Sequence, residues 1–160
     1  MSKRIAVLVS GGGTNLQALI DAQGRGELVN GRISAVISST PDAFALERAK
    51  NAGIPGYVLP RRDFSDSRGY TAALTRLLRE TVGADLVVMA GFMTILTEEC
   101  DAGPIILQKA AEVLPGDTPE VLQRRIMEQC EWKLLPQAVS LFCQDRLKVE
   151  GRAVRILDCL

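Results

Sequence analysis

The sequence predicts an α/β protein with a doubly wound, mostly parallel sheet. Short apolar runs alternate with helical periodicities four times between Ile5 and Ala90. The first run stops at a glycine loop that opens directly into a helix. Hydrophobic residues make up 47% of the chain and aromatic residues only 4%, which is the aliphatic, small-residue core such sheets bury. A chain of 160 residues suits one domain, 1–160, with enough length for a real core.

Each element has its own signal. Ile5 to Val9 is an apolar run, read as a buried strand. Ser10-Gly11-Gly12-Gly13-Thr14-Asn15 ends it, and Leu16, Leu19 and Ile20 then fall on one side of a helix. Ile33 to Ser38 is the second strand. Asp42 is placed to cap a helix from Ala43 to Asn51, which Gly53 ends. Residues 56–59 form a short third strand, and a polar loop runs from Arg61 to Arg68. Tyr70, Leu74, Leu77 and Leu78 give an amphipathic helix. Ala84 to Ala90 is the fourth strand, an apolar run expected to be buried on both faces.

The alternation then breaks. Thr97-Glu98-Glu99 resembles a helix start, but Cys100-Asp101-Ala102-Gly103-Pro104 follows at once. Ile105 to Val113 reads as a longer strand, polar at Gln108 and Lys109. Asp117 or Thr118 caps a long helix that has Pro119 near its first position and runs to about Cys143. Leu147 to Leu157 closes the chain as a small hairpin around Gly151.

Ligands of such sheets lie beyond the carboxyl ends of the strands, where Gly11–Asn15 and Gly91–Leu96 both fall. Unpaired N–H groups and the helix dipole at Gly13–Asn15 make an anion site, most often for phosphate. Neither common phosphate motif fits. The dinucleotide fingerprint needs glycine where Leu16 stands and an acid where Ser38-Ser39-Thr40 stand. The P-loop needs Gly-Lys-Ser/Thr and meets Leu16-Gln17-Ala18. A tight turn with no ligand is the competing reading.

Composition narrows the chemistry. Nineteen basic and nineteen acidic residues cancel, so bulk charge points to neither nucleic acid nor a membrane surface. No apolar run is long enough to span a bilayer, and the first strand is too short for a signal peptide, so a cytoplasmic protein is expected. Cys100, Cys130, Cys143 and Cys159 show no CxxC spacing, so scattered reduced thiols and no metal are expected. The chain has no histidine. Catalysis must therefore run on carboxylates, amides, hydroxyls or backbone groups.

Several phrases together resemble the phosphoribosylglycinamide formyltransferase family: VLVSGGGTNLQALID, SSTPDAFALERAKNAGI, ADLVVMAGFMTIL, DAGPIILQ and LPGDTPEVLQRRIMEQ followed by LLP. They stand in the family's order and cover nearly all of the chain. The resemblance implies a Rossmann-like sheet of formyltransferase type and a role in purine biosynthesis. The implied reaction is transfer of a formyl group from 10-formyltetrahydrofolate, the co-substrate, to the amine of glycinamide ribonucleotide. It implies a monomer or homodimer with small-molecule partners.

The resemblance also implies an internal deletion. The family carries an Asn-x-His-Pro-Ser strand between its GFM-x-IL segment and its Asp-x-Gly-Pro. Here about two strand–helix units are missing, roughly 40–50 residues. Residues 1–96 then form the phosphate- and folate-binding half, and 101–160 a truncated C-terminal half.

By the same resemblance Gly13, Thr14 and Asn15 hold the substrate phosphate, and Glu131 contacts the ribose. Met93, Thr94, Ile95 and Leu96 pack against the folate. Asp101 matches the catalytic aspartate. Arg68 corresponds to a folate-contacting basic residue, one place off the usual spacing to Tyr70. Trp132 stands where the family has histidine and reads as a packing anchor. The missing asparagine and histidine are the family's oxyanion donors, and loss of one such donor costs about 10²–10³ in rate. Turnover is therefore expected to be impaired or absent. The alternative is a non-catalytic phosphate- or nucleotide-binding protein derived from that enzyme.

Overall fold

A computed structural model describes residues 2–96 and 103–158. Four strands, β1 (Lys3–Val9), β2 (Gly31–Ser38), β3 (Gly56–Val58) and β4 (Leu86–Met89), form one parallel sheet in the order β3-β2-β1-β4. The connecting helices are α1 (Thr14–Gly24), α2 (Phe44–Asn51) and α3 (Ser67–Arg76), the last continuing as a wider turn over Leu77–Val82. Then follow α4 (Pro119–Ile126), a second wide turn at Met127–Glu131, and α5 (Trp132–Cys143). An antiparallel hairpin of β5 (Leu147–Glu150) and β6 (Ala153–Ile156) ends the chain, as expected from its sequence.

The strand β1 lies between two helical layers. Its residues alternate between them because successive side chains point to opposite faces. Ile5, Val7 and Val9 join Leu16 and Leu19 of α1, Ala45 and Ala49 of α2 and Val139 of α5. Ala6 and Leu8 join Tyr70 and Leu74 of α3 on the other face. The strand β2 repeats the alternation after a one-residue bulge between the pairs Ile5–Ile33 and Ala6–Ala35. Ser34, the extra residue, donates its hydroxyl to the Ile5 carbonyl at 3.2 Å. This is the doubly wound sheet anticipated from the alternation of patterns.

Three local expectations are corrected. The strand β4 is an edge rather than a strand buried on both faces. Among the described residues it pairs only with β1, and Val87 and Met89 are 41% and 51% exposed. An apolar run shows low polarity but does not show that both faces are covered. Ile105–Val113 is not a strand: residues 104–113 run without sheet pairing, with Ile105 67% and Val113 68% exposed. Side chains hold this segment instead. Lys109 donates to the Gln129 carbonyl at 2.8 Å, and Arg125 donates to the Glu112 carbonyl at 2.7 Å. Asp42 does not cap α2, whose N-cap is Ala43 with no side-chain bond.

The long helix starts as predicted. The Thr118 hydroxyl accepts from the Val121 N–H at 3.4 Å, and Pro119 occupies the first turn. Asp117 has a different task. It takes a bidentate pair from Arg125, with one bond of 2.6 Å, and accepts from the Leu114 N–H at 2.8 Å. The Arg125 guanidinium and then the Leu114 amide hold its carboxyl below the usual range.

Candidate active site at the carboxyl ends of β1 and β4

The chain leaves β1 for α1 and β2 on one side, and reaches β4 on the other. The order therefore reverses between β1 and β4, where ligands of open α/β sheets bind. Two segments emerge at this crevice: the glycine loop 10–15 after β1, and residues 91–96 after β4.

The glycine loop is built for close approach. Gly13 is the N-cap of α1 with φ 69°, in the left-handed region where glycine carries no steric cost. A Cβ there would stand 2.6 Å from the Ala45 Cβ. The α2 helix clamps the loop. The Ala45 N–H donates to the Gly11 carbonyl at 3.1 Å, and Arg48 donates to the Gly12 carbonyl at 2.8 Å and to Gln17 Oε1 at 3.0 Å. With the loop carbonyls engaged, the first-turn N–H groups of α1 are left facing outward as an anion site.

Asn15 and Glu131 meet from opposite ends of the sequence. Asn15 Nδ2 donates to Glu131 Oε2 at 3.1 Å, and Asn15 Oδ1 is buried without a hydrogen-bond partner among the described residues. They border a cleft of about 590 Å³ whose walls include Met89, Cys130 and Leu135, with the extended residues 104–109 across it. The second wide turn ends at Glu131 and delivers the carboxylate to α1.

Residues 91–96 alternate in environment. Phe92 and Leu96 pack inward beside the α3 cluster, where Phe92 stacks with Tyr70 at 6.5 Å between ring centroids. Burial pushes the Tyr70 phenol up. Met93 and Ile95 are exposed, and Thr94 is half-buried between them. The Met93 N–H donates to Ser10 Oγ at 2.8 Å.

The remaining expected site residues fare differently. Arg68 lies on the exposed face of α3 in a shallow depression with Thr75 and Arg79, and no bond among the described residues joins it to 91–96. Asp101 lies outside the described residues, as do Thr97-Glu98-Glu99, Cys100 and Cys159. Trp132 is half-buried at the start of α5 and lines a cavity beside α1. Sequence reasoning overlooked Ser10, Ser39 and Arg48. The two serines sat in plain view as hydroxyl residues ending apolar strands at the ligand side of the sheet. Arg48 gave no signal, because its reach to Gly12 depends on how α2 packs. Among the described residues no three His, Cys, Asp or Glu groups stand together as a metal site would require. No described helix is long and apolar enough to cross a membrane.

A parallel sheet with a glycine loop and a second segment emerging at its switch point defines a class of α/β proteins whose ligands lie at the carboxyl ends of the strands. Within that class the chain belongs to the formyl transferase family, whose model matches residues 3–100. It is 32% identical to phosphoribosylglycinamide formyltransferase of Haemophilus influenzae, over 92% of this chain and 91% of that protein. The enzyme of the same name from Escherichia coli is 31% identical over 93% and 91%. A crystal structure of glycinamide ribonucleotide transformylase 1 from Symbiobacterium toebii superposes with a TM-score of 0.93 at 35% identity, covering 98% of this chain and 95% of that one.

Proposed function

We propose that the chain is a phosphoribosylglycinamide formyltransferase in its binding sites, with severely reduced turnover. Gly13, Thr14 and Asn15 take the substrate phosphate, and Glu131 takes the ribose. Met93, Thr94, Ile95 and Leu96 take 10-formyltetrahydrofolate. Arg68 contacts the same folate from the exposed face of α3. Asp101 is the remaining catalytic carboxylate. The setting is cytoplasmic, the partners are small molecules, and the state is monomer or homodimer.

The observation that carries this reading is the meeting of Asn15 with Glu131 beside the glycine loop. It supplies an acceptor carboxylate and an unpaired amide oxygen next to an anion site, as a phosphoribosyl group requires. The reduced turnover follows from an internal deletion at the junction where Glu99-Cys100 meets Asp101. Two facts support the deletion. The alignment to the Haemophilus influenzae enzyme runs over 195 positions against a chain of 160 residues, so the chain is gapped within it. The outer edge of β4 also lacks a strand partner among the described residues. With no histidine anywhere, the carbonyl oxygen of the formyl group lacks the family's donors.

Two measurements on the purified chain test this: calorimetric binding of glycinamide ribonucleotide, and formyl transfer followed by folate absorbance. The expected result is measurable binding with turnover at least about 10²–10³ below that of an intact relative. Turnover at ordinary enzyme rates, about 1–10³ per second, overturns the reduced-activity reading. Absence of binding overturns the site.

A further inference from the structure

Three consecutive carbonyls of the glycine loop are held by donors. The Gly11 carbonyl accepts from the Ala45 N–H at 3.1 Å, the Gly12 carbonyl from Arg48 Nε at 2.8 Å, and the Gly13 carbonyl from the Gln17 N–H at 2.9 Å. These peptides are trans and planar, so each N–H points opposite to the C=O of its own peptide. The N–H groups of Gly12, Gly13 and Thr14 therefore turn away from those donors, and none has an acceptor among the described residues. Two of the three bonds are backbone bonds. The bond to the Gly12 carbonyl, which aims the Gly13 N–H, rests on one side chain. That side chain is itself fixed. Arg48 donates a second bond to Gln17 Oε1 at 3.0 Å, Gln17 Nε2 donates to Asp21 Oδ1 at 2.8 Å, and the guanidinium lies 5.0 Å from the Phe44 ring centroid. No carboxylate forms an ion pair with Arg48 among the described residues. Asp21, Arg25, Glu128 and Lys133 share with it a cavity of about 350 Å³ beside Thr14, and their charges cancel. On the other side of the loop stands the Glu131 carboxylate, bonded to Asn15, so Arg48 supplies the positive charge that offsets it.

We infer that Arg48 is the positioning residue of the anion site: it aims the Gly13 N–H at the ligand and makes the loop select a phosphate monoester as its dianion. This rests on the proposed reading of residues 13–15. Donors already held in place need no ordering when the ligand arrives, so their full interaction shows as affinity. A fixed cation behind the loop attracts a doubly charged phosphate more than a singly charged one. Arg48 acts through the Gly12–Gly13 peptide, because its Nε is engaged by the Gly12 carbonyl.

The test uses the full chain with glycinamide ribonucleotide, read by calorimetry and by phosphorus NMR of the bound phosphate as pH is varied. The variants are Arg48→Gln, Arg48→Lys and a charge control, Lys50→Gln, which removes an exposed cation from the same helix. Thermal unfolding checks that each folds. A phosphate monoester loses its second proton at about pH 6 in solution. Bound to wild type it titrates at about pH 5 or lower, a preference of about tenfold or more for the dianion. In Arg48→Gln the bound phosphate titrates near its free value, and affinity at neutral pH falls about tenfold. Arg48→Lys keeps the charge but not the planar fork, so the low titration stays while affinity falls about threefold. Lys50→Gln matches wild type in both. A bound phosphate that titrates at its free value in wild type, or stays low in Arg48→Gln, overturns the inference and leaves the site standing. Should Arg48→Gln not fold, wild-type affinity in Arg48→Lys overturns it instead. A wild type that binds no glycinamide ribonucleotide overturns the site and the inference together.

Discussion

Residues 2–96 and 103–158 are built on different principles. The first stretch is held by strand pairing and by two apolar layers on either side of β1. In the second, α5 packs on the sheet through Val139 and Cys143, but the chain leading to it is tied down by side chains. Among the described residues the strands β5 and β6 pair only with each other. A backbone that finds a parallel partner satisfies its polar groups regardless of which side chains it carries. A backbone without one depends on particular residues, here Lys109, Asp117 and Arg125.

The largest expected effect contrasts the two stretches directly. Leu19→Ala opens a cavity under β1 and costs about 2–5 kcal/mol, whereas Ile105→Ala on the extended segment costs less than about 0.5 kcal/mol. Denaturant unfolding of both variants measures the gap; equal costs would show that residues 104–113 pack as tightly as the sheet. Next, Gly13→Ala meets both a left-handed φ and the Ala45 Cβ. It is expected to lose about 1–3 kcal/mol of stability and to abolish nucleotide binding. A variant of normal melting temperature with full affinity would contradict the assignment of the loop.

Smaller effects concern the points where the second stretch reaches the first. Glu131→Gln leaves the fold intact and weakens glycinamide ribonucleotide binding about two- to tenfold. Calorimetry reads this, and unchanged affinity would remove Glu131 from the site. The smallest effect is on pH dependence. The Asp117 carboxyl is lowered in the fold by Arg125, so its contribution is fully present above the unfolded value of about 3.9 and is lost as pH falls through the lower folded value. The melting-temperature difference between wild type and Asp117→Asn should therefore be constant above about pH 4 and close under more acid conditions. A difference that persists at low pH would mean the bond contributes without its charge.

Much of the sheet was legible because local patterns carry it. The runs Ile5–Val9 and Ile33–Ser38, the glycine loop and the helix from Tyr70 to Leu78 are each specified by residues close in sequence. The Thr118–Pro119 helix start was legible for the same reason. The errors fall where a partner had to be known. Ile105–Val113 has the composition of a strand and no strand to pair with among the described residues. The run at β4 is apolar whether or not its outer edge is covered.

The order of the first four strands with their connecting helices, the glycine loop after the first strand and the lack of histidine follow from the amino acids alone, because periodicity, turn propensity and side-chain inventory are local properties. The meeting of Asn15 with Glu131, the grip of Arg48 on the loop and the link from Ser10 to Met93 do not. Each joins residues more than thirty positions apart. Their distances depend on how helices pack against the sheet, which is settled by the sum of many weak apolar contacts and written in no single stretch of the chain.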